Sequence, residues 1–171
     1  MLTRIFAGAA AATAGCLAWA HWPTAPLPEG TRADRIVVAK RDRTLTLYQG
    51  STFVRQYSVS LGRAPVGAKE REGDKKTPEG IYRIIEHKRD SSYYRALRVS
   101  YPEPHDVERA RKRGHSPGSD IMVHGLPNGL GVIGRTHRWL DWTAGCIAVT
   151  NAEMHQLFHG VIPGATIEIR E

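Results

Sequence analysis

Residues 34–62 read DRIVVAKRDRTLTLYQGSTFVRQYSVSLG, and this stretch decides the fold class of the chain. Short runs rich in Val, Ile, Thr, Tyr and Phe alternate in part with polar residues, which is the two-residue period of a half-buried strand. The charged triplet RDR at 41–43 and the pair Gly50-Ser51 separate these runs as turns do. The stretch therefore predicts three consecutive β-strands joined by short turns.

The same kind of pattern returns further along the chain. Strands are predicted over residues 80–88, 96–102, 120–125 and 165–171. Residues 62–80 are rich in glycine, proline and charge, which predicts a loop. Many short strands with few helices predict a mainly β domain of sandwich or barrel type.

Two short helices are predicted among these strands. Asp106 is placed to cap the first helix, with Glu108 and Lys112 paired one turn apart. Thr150 and Glu153 have the spacing of a capping box, in which each side chain satisfies a backbone amide of the other residue. This box predicts the start of the second helix.

The first 20 residues have the composition of an export signal. MLTRIF carries one positive charge, and AGAAAATAGCLAWA (7–20) is an apolar run of mostly small residues that ends in the small-x-small pattern of Ala18-Trp19-Ala20. We predict a signal peptide over residues 1–20 and a proline-rich linker over 21–33. An uncleaved membrane anchor and lipidation at Cys16 are the alternatives. In each case the domain that follows is exported to the periplasm or cell envelope.

The chain is basic, with a net charge of +7 over 171 residues. Such a charge favours an anionic partner, which is a nucleic acid, a membrane surface or an acidic polymer. Export and the lack of a basic helix with aromatic stacking residues in the sequence argue against nucleic acid. A membrane is expected only if the N-terminal segment stays uncleaved. An acidic polymer of the envelope therefore fits the charge.

Two motifs suggest chemistry that their surroundings do not support. GLGVIG at 129–134 matches the dinucleotide-binding fingerprint, but RTHRWLDW follows where that motif needs an apolar helix. His155 and His159 have the spacing of zinc-protease ligands, but Gln156 stands where the metal-bound water needs a glutamate base. We therefore predict that the chain needs no metal and no organic cofactor.

The stretch TAGC occurs twice, at 13–16 and 143–146, and carries both cysteines of the chain. If the first is removed with the signal, Cys146 is an unpaired thiol in an oxidising compartment. It is then a reactive group, a site of intermolecular pairing or a buried core residue. A cysteine nucleophile needs an imidazole base and nearby backbone amides. His124, at a strand end, and Gly145, beside Cys146, are candidates to supply them.

Four blocks of the sequence then point to a family. RIVVAKRDRTLTLYQGSTFVRQYSVSLG, GDKKTPEGIYRI, IMVHGLPNGLG and TAGCIAVTNAEM occur in this order between Arg35 and Glu171. Together they resemble the L,D-transpeptidase (YkuD-like) family. The resemblance implies a YkuD-like β-sandwich over residues 34–171, with a few short helices, that acts as a catalytic domain on peptidoglycan stem peptides.

The chemistry that the resemblance implies is acyl transfer through a cysteine. The thiol attacks the L,D-peptide bond before a terminal D-alanine, and an amine resolves the thioester. That amine belongs to a second stem peptide or, as an alternative acceptor, to an envelope protein. An L,D-carboxypeptidase or stem-peptide hydrolase, in which water resolves the thioester, is one alternative function. A wall-binding module without turnover is another.

The resemblance also assigns roles residue by residue. Cys146 matches the nucleophile and His124 the general base, while Gly125 supplies the backbone carbonyl that orients the histidine. Amides around Gly145 and Cys146 match the oxyanion hole. Ala144 departs from the family pattern, which usually has a second histidine there. An imidazole partner is expected to favour the thiolate below the ordinary thiol pKa of about 8.5.

Substrate binding is the part of the pattern that changes most. Ala148 replaces the arginine that usually stands two residues after the nucleophile. We expect Arg135 and Arg138, in the insert that leads into the nucleophile, to bind the stem-peptide carboxylate instead. A guanidinium pairs with a carboxylate through two parallel hydrogen bonds. Trp139 and Trp142 are expected to wall this site and exclude water.

Overall fold

The structure is a computed structural model that describes residues 18–171. The predicted signal peptide lies outside these residues except for Ala18, Trp19 and Ala20, and so does the alternative lipidation site at Cys16. Across residues 18–171, no helix is both long enough and apolar enough to cross a membrane.

The described part of the chain folds mainly into strands, as its alternating pattern predicts. The strands are β1 Ala33–Ala39, β2 Thr44–Gln49, β3 Thr52–Ser58, β4 Gly80–Ser91, β5 Tyr94–Val99, β6 Met122–His124, β7 Ile147–Ala148 and β8 Val161–Arg170. The helices are α1 Pro104–Lys112, α2 Asn151–Gly160 and a 3-10 helix, Gly131–Trp139. The mainly β class with a few short helices is confirmed.

The eight strands form one curled sheet in the order β3-β2-β1-β8-β4-β5-β6-β7. The pairs β1–β8 and β6–β7 are parallel, and the other pairs are antiparallel. Strand β4 belongs to both halves of the sheet, because its first residues pair with β8 and its later ones with β5. A bulge near Ile84 bends it between them. A bridge between Ser60 and Ala148 brings the two ends of the sheet together.

The core lies inside the curl, where the apolar positions of neighbouring strands meet. Ile36, Leu45 and Leu47 are fully buried, and Met154 and Leu157 of α2 join the same cluster. Each such side chain contributes roughly 1.5–3 kcal/mol by leaving water. One face of β6 and β7 packs on this core through Val123 and Ile147, and the other face is available for a site.

Helix α1 begins earlier than its predicted cap. Glu103 is the cap residue and Asp106 is the third helical residue, whose carboxylate accepts the Glu103 N–H at 3.1 Å. The prediction of Asp106 as the cap is wrong because Pro104, with its fixed backbone angle, already occupies the first helical turn. The predicted pair of Glu108 and Lys112 is confirmed, with a separation of 2.9 Å.

The segment over residues 21–33 lies against the domain. The Arg55 guanidinium donates to the carbonyl oxygens of Ala25 and Pro26 at 2.9 and 3.0 Å. The Gln156 amide donates to Ala25 at 2.8 Å, and Leu27 packs on the edge of the core. Side-chain donors of β3 and α2 therefore fix the path of this proline-rich segment.

Candidate active site

Strands β6 and β7 place His124 and Cys146 on one face of the sheet. In this parallel pair Val123 lies opposite Ile147, and both are fully buried in the core. Side chains alternate along a strand, so His124 and the residue just before β7, Cys146, project away from the core. They line the same cavity, which has a volume of about 480 Å³.

The His124 ring is clamped in a defined orientation. It packs against the rings of Tyr93 and Trp142, with centroids 4.5 and 5.7 Å away, and these two rings are themselves 6.1 Å apart. Its Nδ1 lies 2.7 Å from the Gly125 carbonyl oxygen. A carbonyl oxygen only accepts, so Nδ1 carries the proton and Nε2 keeps its lone pair. Burial lowers the pKa of His124 to about 4, against a weaker opposing effect of the Gly125 hydrogen bond, so the ring is neutral at pH 7.

Only glycine fits at position 125, because a side chain there would collide with Asn151. A Cβ at this position would lie 2.7 Å from the Asn151 Oδ1 atom, which accepts the Leu126 N–H at 2.8 Å. The start of α2 therefore packs directly on the backbone that orients the histidine. The predicted role of Gly125 fits the observed hydrogen bond to His124.

The Cys146 thiol is partly buried and donates to the Asp120 carbonyl oxygen at 3.5 Å. Burial raises its pKa above the ordinary value, with the backbone amide of Met122 acting weakly in the opposite direction. The expectation that an imidazole would lower the pKa of this thiol is therefore wrong. The reason is physical, because the same desolvation that keeps His124 neutral also disfavours a thiolate.

The turn before the nucleophile is held by its own side chain. Thr143 Oγ1 donates to the Cys146 carbonyl at 2.7 Å and accepts the Gly145 N–H at 3.1 Å. Gly145 has a φ of +138°, and a Cβ there would lie 2.6 Å from the Lys76 carbonyl oxygen. Because the Gly145 N–H already donates to Thr143, Gly145 allows the sharp turn before Cys146 and does not supply a free amide. Within residues 18–171, the N–H groups of Ala144 and Cys146 donate to no protein acceptor.

Trp142 lines the cavity as predicted, but the structure does not bring Arg135, Arg138 or Trp139 to it. The Arg138 guanidinium donates to both carboxylate oxygens of Glu153, at 2.5 and 2.6 Å. Arg135 borders a separate cavity of about 280 Å³. Trp139 is 66% exposed and lies outside both cavities.

Glu153 has a structural role that explains the position of Arg138. Its carboxylate accepts the N–H of Thr150 at 3.0 Å, and the predicted capping box of α2 is confirmed. Since Glu153 is buried, an unpaired charge there would be costly, and the guanidinium of Arg138 neutralises it. Arg138 thus ties the 3-10 helix to α2.

Several residues of the cavity were missed by sequence reasoning. Besides Tyr93 and Asp120, they include three cations, Arg63, Lys75 and Lys88, and one further carboxylate, Asp90. The cations come from the long charged loop and from β4, far from the nucleophile in sequence. The sequence signal for Arg63 and Lys75 is the high charge of residues 62–80.

One buried ion pair shapes the charged loop beside the cavity. Asp74 accepts hydrogen bonds from Lys69 at 2.8 Å and from the backbone amides of Glu70, Arg71 and Lys76. Burial alone would raise the pKa of Asp74, but these hydrogen bonds outweigh it and lower the pKa to about 2. The carboxylate therefore fixes the loop whose carbonyl at Lys76 packs on Gly145.

The two alternative motifs do not form the sites that their patterns suggest. Arg95 Nη1 lies 3.3 Å from Nδ1 of His155 and 2.9 Å from Nε2 of His159. A guanidinium only donates, so both ring nitrogens accept from it. Residues 131–139 form a 3-10 helix interrupted at Gly134, where a dinucleotide site would need an α-helix after a strand.

Comparison with known proteins identifies the family. The family model described as the L,D-transpeptidase catalytic domain, YkuD, matches residues 33–169. YafK of Escherichia coli (strain K12) is 32% identical over 112 residues, which cover 62% of this chain and 44% of that protein. This chain therefore spans less than half the length of that relative.

Two solved structures have the same fold. The helical cell shape determining protein Pgp2 from Campylobacter jejuni gives a TM-score of 0.62 at 22% identity, over 91% of this chain and 54% of that one. An L,D-transpeptidase from Mycobacterium smegmatis gives 0.52 at 17% identity, over 81% and 59%. With the family match across most of its length, the chain belongs to the YkuD family of L,D-transpeptidase catalytic domains.

Proposed function

We propose that this protein is a peptidoglycan L,D-transpeptidase that works through a thioester on Cys146. The observation that carries the proposal is the placement of a neutral, oriented imidazole and a thiol on one face of the β6–β7 pair, in one cavity. Family membership supports the reaction class. The protein is exported and acts in the periplasm or cell envelope, where its substrate is found.

In the acylation step the thiol sulfur of Cys146 attacks the carbonyl carbon of the L,D-peptide bond. Nε2 of His124 takes the thiol proton as the carbon–sulfur bond forms, so no free thiolate is needed beforehand. The backbone N–H of Cys146 is free to stabilise the oxyanion. Collapse of the tetrahedral intermediate breaks the carbon–nitrogen bond. D-Alanine leaves with the proton that His124 returns to its amine.

The second step reverses the roles around the thioester. The amine of a second stem peptide attacks the thioester carbon, His124 accepts a proton from that amine, and the sulfur of Cys146 leaves and is reprotonated. Water in place of the amine would give an L,D-carboxypeptidase. The rings of Tyr93 and Trp142 cover the base and limit the access of water to it.

The stem-peptide carboxylate binds at Arg63 and Lys75 in this proposal, in place of Arg135 and Arg138. Arg63 donates through Nε to the Trp142 carbonyl at 3.1 Å, which leaves the fork of its guanidinium for a ligand. Both cations line the cavity with the nucleophile. Arg135, a half-buried arginine that lies outside this cavity, offers a control.

The binding proposal is tested by measuring kcat/KM on a tetrapeptide stem and on its C-terminal amide. Arg63→Ala should reduce the value for the free acid by about 10- to 150-fold, which corresponds to a charge-assisted hydrogen bond of about 1.5–3 kcal/mol. The amide should be affected little. Arg135→Ala should leave both substrates unchanged. Equal small losses for both substrates in Arg63→Ala would contradict the assignment.

The reaction itself is tested by incubating the purified protein with a defined tetrapeptide muropeptide and measuring the masses of the protein and of the products by mass spectrometry. A covalent adduct on the protein that lacks D-alanine, absent in Cys146→Ala, would support the thioester. A cross-linked dimer of stems indicates transpeptidation, and tripeptide with free D-alanine indicates the carboxypeptidase. A protein that binds the muropeptide without any adduct or product would refute both enzymes and favour a wall-binding module.

A further inference from the structure

Two segments of the domain, residues 19–22 and 130–140, carry a group of large exposed apolar side chains. We call it the apolar face; exposure ranges from 43% for Trp19 to 74% for Leu140. Its members are Trp19, Trp22, Leu130, Val132, Trp139 and Leu140. Single exposed apolar residues are common on soluble domains, but a group that includes three tryptophans requires an explanation.

The members of the apolar face belong to two segments that pack on each other. The rings of Trp19 and Trp139 are stacked, with centroids 6.3 Å apart and an interplanar angle of 9°. The Ala20 carbonyl lies against Gly134. A Cβ on Gly134 would be only 2.3 Å from the Ala20 oxygen. Trp22 borders the same small cavity as Gly134. The N-terminal segment is thus seated on the 3-10 helix.

The segments that carry the apolar face contain cations, and the nearest carboxylate in sequence, Asp141 after Leu140, is paired with Arg43 at 2.8 Å. Residues 18–28 and 121–140 include Arg135 and Arg138 and no Asp or Glu. Arg138 is neutralised by Glu153, which leaves Arg135 as the cation beside the apolar side chains. A cation beside exposed apolar side chains attracts anionic lipid headgroups.

The chain that precedes the apolar face is itself apolar. Residues 1–17 read MLTRIFAGAAAATAGCL, in which Arg4 is the single charged side chain. Because Trp19 stacks on Trp139, the described chain begins beside Trp139. If this run stays in a bilayer, the face lies at the level of the headgroups. Tryptophan is enriched at that level because its ring is apolar and its N–H is polar.

We propose that residues 1–20 stay uncleaved and that the apolar face rests on the surface of a lipid bilayer that contains anionic headgroups. The side chains of Trp139 and Leu140 enter the interface, and Arg135 contacts the headgroups. The contact goes beyond the proposed reaction and does not depend on it.

The test uses the whole 171-residue chain, synthesised in a cell-free system with vesicles of phosphatidylethanolamine and phosphatidylglycerol. The four tryptophans of the sequence allow two matched variants. One keeps only Trp139, with Phe at the other three positions, and the other keeps only Trp142. Emission is compared in vesicles with and without bromine on the acyl chains, since bromine quenches a ring only at close range.

The proposal predicts a blue-shifted emission of Trp139 that bromine quenches, and much weaker quenching of Trp142. Leu140→Ser, added to the Trp139 variant, should weaken the contact about ten-fold, as expected for loss of one buried apolar side chain. Ile81→Ser is the control, because Ile81 is 68% exposed but lies on β4, outside the two segments of the apolar face. That change should leave the quenching of Trp139 as it was.

Two results would overturn the proposal. Emission of Trp139 at the wavelength of a ring in water, without quenching, would mean that any lipid contact is made by the N-terminal run alone. A blue shift without quenching by bromine would mean that protein, such as a second copy of the chain, covers the face.

Discussion

Two buried histidines should make the fold sensitive to mild acid. His124 and His137 are 4% and 6% exposed. Burial lowers the pKa of each from 6.5 to about 4, and for His137 the positive charge of Arg138 adds to the effect. His137 also makes two polar contacts in the fold. Its Nδ1 lies 3.1 Å from Ser60 Oγ and accepts a hydrogen bond from Trp142 Nε1 at 3.4 Å.

The direction of the effect follows from where the protons bind. In the unfolded chain both imidazoles titrate near their ordinary pKa of 6.5, so between about pH 6.5 and 4 the unfolded state binds more protons than the folded state. Stability therefore falls as the pH is lowered through this window. At about pH 4.5 the linkage relation gives a loss of about 2–3 kcal/mol per histidine relative to pH 7. The two together account for about 5 kcal/mol.

The assay is urea unfolding at pH 7 and at about pH 4.5, for the native chain and for His124→Gln and His137→Gln. Each variant should lose about 2–3 kcal/mol less on acidification than the native chain, whatever its stability at pH 7. The exposed His115→Gln is the control and should keep the native difference. The reasoning fails if the acid-induced loss is the same in all four proteins, since protonation of carboxylates would then explain the whole effect.

The thiol and its supporting loop give three further tests. Because burial raises the pKa of Cys146, iodoacetamide should alkylate it rapidly only at a pH above the ordinary thiol pKa of about 8.5; a rate already constant near neutral pH would contradict this. Gly145→Ala should lower the free energy of unfolding by about 1–3 kcal/mol from φ alone, and the clash with Lys76 should add to this. Gly73→Ala, with a positive φ and open space, is its control in thermal unfolding. Asp74→Asn should cost about 3–5 kcal/mol at pH 7 by leaving a buried lysine unpaired, and an unchanged melting temperature would exclude that role.

The features that sequence reasoning predicted best are local in the chain. The hairpin of β1 and β2 and the box of Thr150 and Glu153 each depend on residues a few positions apart. The pairing of His124 with Cys146 is less local, since it requires the parallel register of β6 and β7. The family motif supplied that link, whereas strand patterns do not specify which strands become neighbours.

The charge state of the site was the property hardest to predict. Whether His124 stabilises a thiolate depends on burial, and burial depends on Tyr93 and Trp142, which come from a turn after β4 and from the insert. A sequence shows the pair of reactive residues but not the aromatic rings that exclude water from them. The same two rings that desolvate the base also give the site its walls.

Arg138 shows how one sequence feature can account for another. Glu153 satisfies the start of α2 and is then buried, so a cation is needed near the capping box. The insert before Cys146 supplies it as Arg138, which links the 3-10 helix to α2 and holds the neighbouring His137 under Trp142. An arginine close to a nucleophile in sequence is therefore not a substrate ligand by proximity alone. Arg63, far from Cys146 in sequence, lines the cavity and keeps the fork of its guanidinium for a ligand.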